Sequence, residues 1–220
     1  MKSSSRHPIM DPRGGVTLAE TVISLVVLVA VMGTMLGLVE PTADTTRVTI
    51  ALDTLEKRGN RALNTIAKVL YQAGRATVTP ALAPPFGGSS LRARFATDYV
   101  GGNLVYGPEF SIEYRQSPDD PLDGIDNDEN GLVDDGMVVI VEDMGLPTEQ
   151  THVILIHVAP YLEGEQPDGL DNNGNGLIDE RGLAFDMSQN TLKTRITVQG
   201  RSREGRLLTR TVESAVTFRN

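Results

Sequence analysis

An apolar run from Thr21 to Val39 follows directly on a single acid, Glu20. The run is long enough to span a bilayer, which takes about 20 residues. Inside hydrocarbon every backbone polar group has to be satisfied within the segment, so a run of this kind can only be a helix. An ionised side chain at mid-bilayer costs about 2.5–3.5 kcal/mol on insertion scales, which makes Glu20 a candidate functional residue. A secretory signal needs a small-x-small cleavage site just behind its apolar core, and no Ala-x-Ala lies directly behind this run. Ahead of it, Lys2, Arg6 and Arg13 stand against Asp11. That positive charge keeps the N-terminal end cytoplasmic and sends the C-terminal part outward.

The residues before and at the mouth of the run read Gly14-Gly15-Val16-Thr17-Leu18-Ala19-Glu20. This stretch resembles the N-terminus of type IV pilins and pseudopilins. The resemblance implies a leader cut after Gly15 by a prepilin peptidase, methylation of the new N-terminus Val16, and pairing of Glu20 with the N-terminal amine of a neighbouring subunit. Val16 stands where major pilins carry Phe or Met, and the first proline after the leader, Pro41, comes only at the end of the apolar segment. Both departures suit a minor subunit, most like the J-type minor pseudopilins or W-type minor pilins. The implied partners are other pilin or pseudopilin subunits and the inner membrane. The implied setting is the bacterial inner membrane, crossed once, with the C-terminal domain periplasmic or in a type IV pilus or type II secretion filament. The alternative is a monomeric, membrane-anchored calcium-binding or adhesive module that does not assemble.

The 220 residues carry a net charge of −9 even though the leader is basic. A nucleic-acid ligand is disfavoured, because phosphate binding needs a basic surface. The chain has no cysteine, so disulfides cannot restrain long loops in an exported domain. The acids are clustered: of 29, eight fall within Gln116–Gly136 and six within Glu163–Arg181.

Periodicity divides the chain into a leader (1–15), a transmembrane and assembly helix (16–40), an amphipathic helix (41–75), a loop (76–95) and a β-rich domain (96–220). In the amphipathic part Val48, Leu52, Leu55, Leu63, Ile66 and Leu70 recur at helical steps, with a gap around Gly59. Pro41 predicts a bend or break, and Gly74 a C-cap. Thr77–Ser90 is rich in Pro and Gly. Strands are expected at Asn103–Tyr106, Phe110–Arg115, Met137–Asp143, Thr151–Tyr161, Leu183–Asp186, Thr191–Val198 and, with an interruption, Arg206–Phe218. The fold class is α+β: a long N-terminal helix, half transmembrane and half amphipathic, packed on an antiparallel sheet in the pilin manner.

Two acidic segments, 123–135 and 168–180, repeat at an offset of 45 residues with eight of thirteen positions identical. Each contains Asp-x-[Asp/Asn]-x-Asn-Gly-Leu-x-Asp. They resemble EF-hand loops and, more closely, the shorter loops of thrombospondin type 3 repeats. Calcium takes six to eight oxygens, and alternating residues can aim theirs at one centre. The first set is Asp126, Asp128, Asn130, the Leu132 carbonyl and Asp134. The second is Asp171, Asn173, Asn175, the Leu177 carbonyl and Asp179. The twelfth loop position, a bidentate Glu in EF-hands, is Met137 or Gly182 here. Asp123 and Asp168 are candidates for the missing oxygen, as are Asp135 and Glu180. Asn, Asp and Gly also make turns unaided, but two charge clusters with one ligand spacing exceed what a turn requires. Two Ca2+ sites are therefore expected, with Val133 or Ile178 coupling a loop to the core.

No Gly-x-Ser-x-Gly, phosphate loop or His-Glu-x-x-His occurs, and the reading is not an enzyme. His152 and His157 have opposite parity on one expected strand and cannot share a face.

Overall fold

The computed structural model describes residues 17–79, 88–188 and 191–218; the expected cleavage pair Gly15 and Val16 lies outside the described residues. The architecture is α+β, with helix α1 (Leu18–Tyr71) N-terminal to seven antiparallel strands. The strands are β1 (Ser90–Val100), β2 (Asn103–Gln116), β3 (Gly136–Glu142), β4 (Gln150–Val158), β5 (Leu183–Ser188), β6 (Thr191–Arg201) and β7 (Leu207–Thr217). The chain divides into two compact units at Thr46/Arg47.

The first unit contains the apolar part of α1. Leu18–Met35 has a mean hydropathy of 2.1 and is long and apolar enough to cross a membrane. Its large side chains, from Leu18 to Met35, are exposed. Two of its hydroxyls turn inward on the helix: that of Thr34 donates to the Val31 carbonyl at 2.8 Å and that of Thr21 to the Thr17 carbonyl at 3.2 Å. Local back-bonding of this kind removes hydroxyls from an apolar surface. The helix begins with a reciprocal cap. Thr17 N donates to Glu20 Oε2 at 3.0 Å, and Glu20 N donates to Thr17 Oγ1 at 3.3 Å. This is the Thr-x-x-Glu capping box.

In the second unit, α1 buries Leu55, Ala62, Leu63, Ile66 and Leu70 in a core shared with the sheet. Gly59 fills the gap in the stripe for a steric reason. A Cβ there would lie 2.5 Å from Val212 Cγ2 and 3.1 Å from Val198 Cγ2, so helix and strands approach as only glycine allows. The sheet runs β1-β2-β3-β4-β6-β5, with β7 on the other side of β6. A single pair, Val158 with Val198, joins β4 to β6. The first acidic segment links β2 to β3 and the second links β4 to β5, so both lie at strand ends.

Several expectations are corrected. Helix α1 runs through Pro41, so the expected break is corrected; the missing donor removes one ladder bond without ending the helix. Gly74 is extended (φ −78) and is no C-cap. A Cβ there would collide with the Tyr106 ring, so closeness requires the glycine. Strand β1 begins at Ser90, inside the expected loop: buried Leu91 and Ala93 alternate with exposed Arg92 and Arg94, and an alanine is a faint signal for an inward position. Strand β2 is continuous through Gly107–Pro108, because Pro108 sits at a register shift against β1 where no ladder bond is demanded. Strand β7 is unbroken, paired with β6 from Leu207 to Thr217.

Candidate metal centre

The two acidic segments fold alike, and the likeness reaches the backbone. In the first, Gly124, Glu129, Gly131 and Asp134 have φ of 84, 58, 89 and 55. In the second, Gly169, Gly174, Gly176 and Asp179 have φ of 80, 71, 88 and 53, at the same offset of 45. The left-handed region favours Gly, Asn and Asp, which is why this composition makes these turns. The hydrogen bonds repeat too. Gly131 N donates to Asp126 Oδ2 at 2.8 Å, and Gly176 N to Asp171 Oδ2 at 2.9 Å. Leu132 N donates to Asn130 Oδ1 at 2.7 Å, and Leu177 N to Asn175 Oδ1 at 2.8 Å.

The expected ligand residues separate into two groups. Asp134 accepts from Asp123 N and Gly124 N, both at 2.9 Å, and Asp179 accepts from Asp168 N at 3.1 Å and Gly169 N at 3.0 Å. Asp123 and Asp168 in turn accept from Ile125 N and Leu170 N and from the Asn127 and Asn172 amides. These four carboxylates fasten the loop openings. Further in, Asp126 and Asp128 converge with a third acid, Asp120. One carboxylate oxygen of each lies within 4.8 Å of the others, a spacing that can hold a metal ion.

Asp120 escaped the sequence reading because it precedes the thirteen-residue match, yet it is wholly buried. Its oxygens accept from Asn127 N at 2.9 Å and Asp135 N at 2.8 Å, so it ties the start of the loop to its end. Its counterpart 45 residues on is Glu165, also buried, which accepts from Asn173 N at 2.8 Å. An acid recurring at the repeat offset was the signal available. In the second loop the positions matching Asp120, Asp126 and Asp128 hold Glu165, Asp171 and Asn173, two carboxylates rather than three.

Buried acids continue behind each loop. Asn130 Nδ2 donates to Asp135 Oδ1 at 2.8 Å, and Asn175 Nδ2 donates to Glu180 Oε1 at 2.6 Å. Burial pushes the Glu180 carboxyl above its usual range; the Asn175 amide opposes this, and the nearby charges of Glu165 and Asp171 add to it. Three oxygens of these loops are buried without a hydrogen-bond partner: Asp126 Oδ1, Glu165 Oε2 and Glu180 Oε2. An unpartnered buried carboxylate oxygen is costly, and a cation is one remedy. Oxygen-only donors suit a hard ion rather than zinc or copper.

His157 was also missed as part of the site. It is the extra residue of a β-bulge in β4, left-handed at φ 59, between Gly136↔Val158 and Met137↔Ile156. The bulge voids a parity argument that assumes regular alternation. The ring Nδ1 lies 3.1 Å from Asp135 Oδ2, while His152 stays exposed 4.0 Å from Glu142. The expected core anchors are corrected as well. Val133 is 42% exposed and Ile178 half-buried; the preceding leucines, Leu132 and Leu177, are the buried ones. Leu177 packs with Leu162 and Ala184.

Each loop has a closed neck. In the first, the Gln116 amide donates to the Asp120 and Asp135 carbonyls at 2.7 and 3.1 Å. Arg201, at the end of β6, also donates to the Gly131 carbonyl. In the second, Ala159 N donates to the Thr197 carbonyl at 2.9 Å and Thr197 N to the Gly182 carbonyl at 2.8 Å. A Cβ on Gly182 would run into the Ala159 carbonyl oxygen. The Arg181 guanidinium covers the Tyr161 ring 4.8 Å from its centroid.

No family model, no curated protein and no solved structure matches the chain.

Proposed function

We propose that the chain is a minor pilin or pseudopilin subunit. It would be processed at Gly15–Val16, anchored in the bacterial inner membrane, and incorporated into or priming a type IV pilus or type II secretion pseudopilus. In this reading its periplasmic domain is stabilised by two calcium ions, one in each acidic loop. The observation that carries the reading is the placement of Glu20: an exposed acid in the first turn of an apolar, membrane-length helix. In an assembled filament that carboxylate pairs with the amine of a neighbouring Val16. The calcium part rests on the Asp120, Asp126 and Asp128 oxygens and on the repeat of the same backbone 45 residues later.

One observation favours a second reading. The capping box gives Glu20 a purely local task, worth about 0.5–2 kcal/mol to a helix end, which a plain membrane anchor would also use. Charge separates the two. Glutamine fills the third position of a capping box as glutamate does, so Glu20→Gln keeps the cap and removes the partner for a neighbouring amine. Under the assembly reading the variant inserts normally but is lost from filaments, as is Glu20→Ala. Under the anchor reading Glu20→Gln behaves as wild type. Intact-mass analysis of the membrane-extracted chain gives an independent answer. Assembly predicts a chain starting at methylated Val16, and retention of Met1 sinks it.

A further inference from the structure

The two calcium loops lack the bidentate acid that closes an EF-hand, and the four carboxylates at the loop openings already accept backbone N–H groups. The buried carboxylate oxygens of the loops that have no hydrogen-bond partner lie elsewhere, on Asp126, Glu165 and Glu180. In the first loop Asp120 enters from outside the repeat. In the second, the residue at the same offset is Glu165, only 7% exposed. Asn173 N holds its Oε1 at 2.8 Å and so fixes the carboxylate against the loop interior. Its Oε2 is buried and has no partner. Across the same loop Glu180, 1% exposed, also carries a buried, unpartnered Oε2. Neither oxygen has a hydrogen-bond partner among the described residues, and calcium takes oxygen ligands of just this kind.

We propose that Glu165 is a direct calcium ligand of the second loop, equivalent to Asp120 in the first. Asp134 and Asp179 are latches on the loop backbone that do not touch the ion. Glu165 carries the same single charge as Asp120 on a side chain one methylene longer, so with Asn173 where the first loop has Asp128 the second loop keeps two carboxylates against three. The inference rests on the calcium reading above and adds to it the ligand division between closing acids and latching acids.

The test is calcium titration of the full chain in detergent by calorimetry, with circular dichroism to show folding. Wild type should bind two ions. Asp120→Asn and Glu165→Gln should each bind one at calcium levels that saturate wild type, and Glu165→Asp should recover the second. Asp179→Asn should bind two with affinity changed less than about threefold, a fraction of the 1.4 kcal/mol that makes a tenfold change. Two ions of unchanged affinity in Glu165→Gln overturn the inference and leave the calcium reading intact. A wild type that binds none overturns both. Loss of an ion from folded Asp179→Asn overturns the latch assignment. A measurement on unaltered protein guards against a variant that does not fold. The carboxyl 13C resonance of Glu165 should move on adding calcium, and a resonance that stays put while the second ion binds rejects direct ligation.

Discussion

The first acidic loop spends three carboxylates where the second spends two, yet their backbones share four left-handed positions and the same hydrogen bonds at an offset of 45. The left-handed position filled by Glu129 in one is filled by Gly174 in the other. The second loop thus gains a residue that adopts the conformation at little cost and gives up a charge. Turn chemistry sets the shape in both, and the count of acids is free to set how strongly a cation is held. The supports differ as well. The first loop leans on side chains, Gln116, His157 and Arg201; the second is closed by the backbone of Thr197.

The largest expected effect comes from removing the cation altogether. A site at a hundredfold excess over Kd contributes about 2.7 kcal/mol, and each kcal/mol shifts Tm by about 2–4 °C in a domain of this size. Chelation of full chain shown to be loaded at both loops should lower Tm by about 10–20 °C, read by circular dichroism. A shift under about 2 °C breaks the comparison, because charge count would then have nothing to act on.

The necks come next. In Gly182→Ala the new methyl meets backbone, the Ala159 carbonyl, whereas in Gly136→Ala it meets the Tyr114 side chain. Backbone cannot step aside as a ring can. Gly182→Ala should cost about 3 kcal/mol or more in urea melts, at the upper end of overpacking effects, and Gly136→Ala about 1–3. Equal losses would show that Tyr114, buried enough for its hydroxyl to be pushed up, is as immovable as the main chain.

Asp126→Ala and Asp171→Ala compare the two proposed ion sites directly. Charge count is one determinant of calcium affinity, so in calcium the first variant should lose about 1 kcal/mol more than the second, on the scale of a single charged hydrogen bond. The reverse order would show that Glu165 and Glu180 compensate for the missing carboxylate. Smallest is His157→Gln, expected to cost about 0.5–1.5 kcal/mol. Amide exchange should quicken at Asn130 and Asp135 and stay unchanged at Asn175 and Glu180.

The shape of the loops was legible in the sequence because glycines and Asx residues recur at one offset, and glycine is read by conformation alone. Their strand neighbours were legible where valine and isoleucine alternate, as in β3. Strand β1 was not, since Ala93 carries little weight as a core residue. The capping role of Glu20 was written in Thr17 three residues earlier but was masked by the resemblance that the same glutamate carries. Asp120 and Glu165 lay outside the window of identity, and a buried acid has no local sequence mark. His157 could not be placed by parity, because the bulge that turns it toward Asp135 inserts one residue into the count. The helix continued through Pro41 because a single lost ladder bond is a smaller penalty than ending an otherwise favourable helix.

Thr197 receives Ala159 on its carbonyl and offers its amide to Gly182. Everything from 159 to 182 therefore leaves the sheet and returns to it at one residue of a strand that is adjacent to neither end in the chain. The register of β6 with β5 and β7 is indifferent to how many residues lie in that excursion. Such a doorway makes the segment a strap, clipped to β6 at its neck and tacked to β5 where Leu162 and Leu177 meet Ala184. Between those two leucines its length is free to vary while the strands on either side keep their partners.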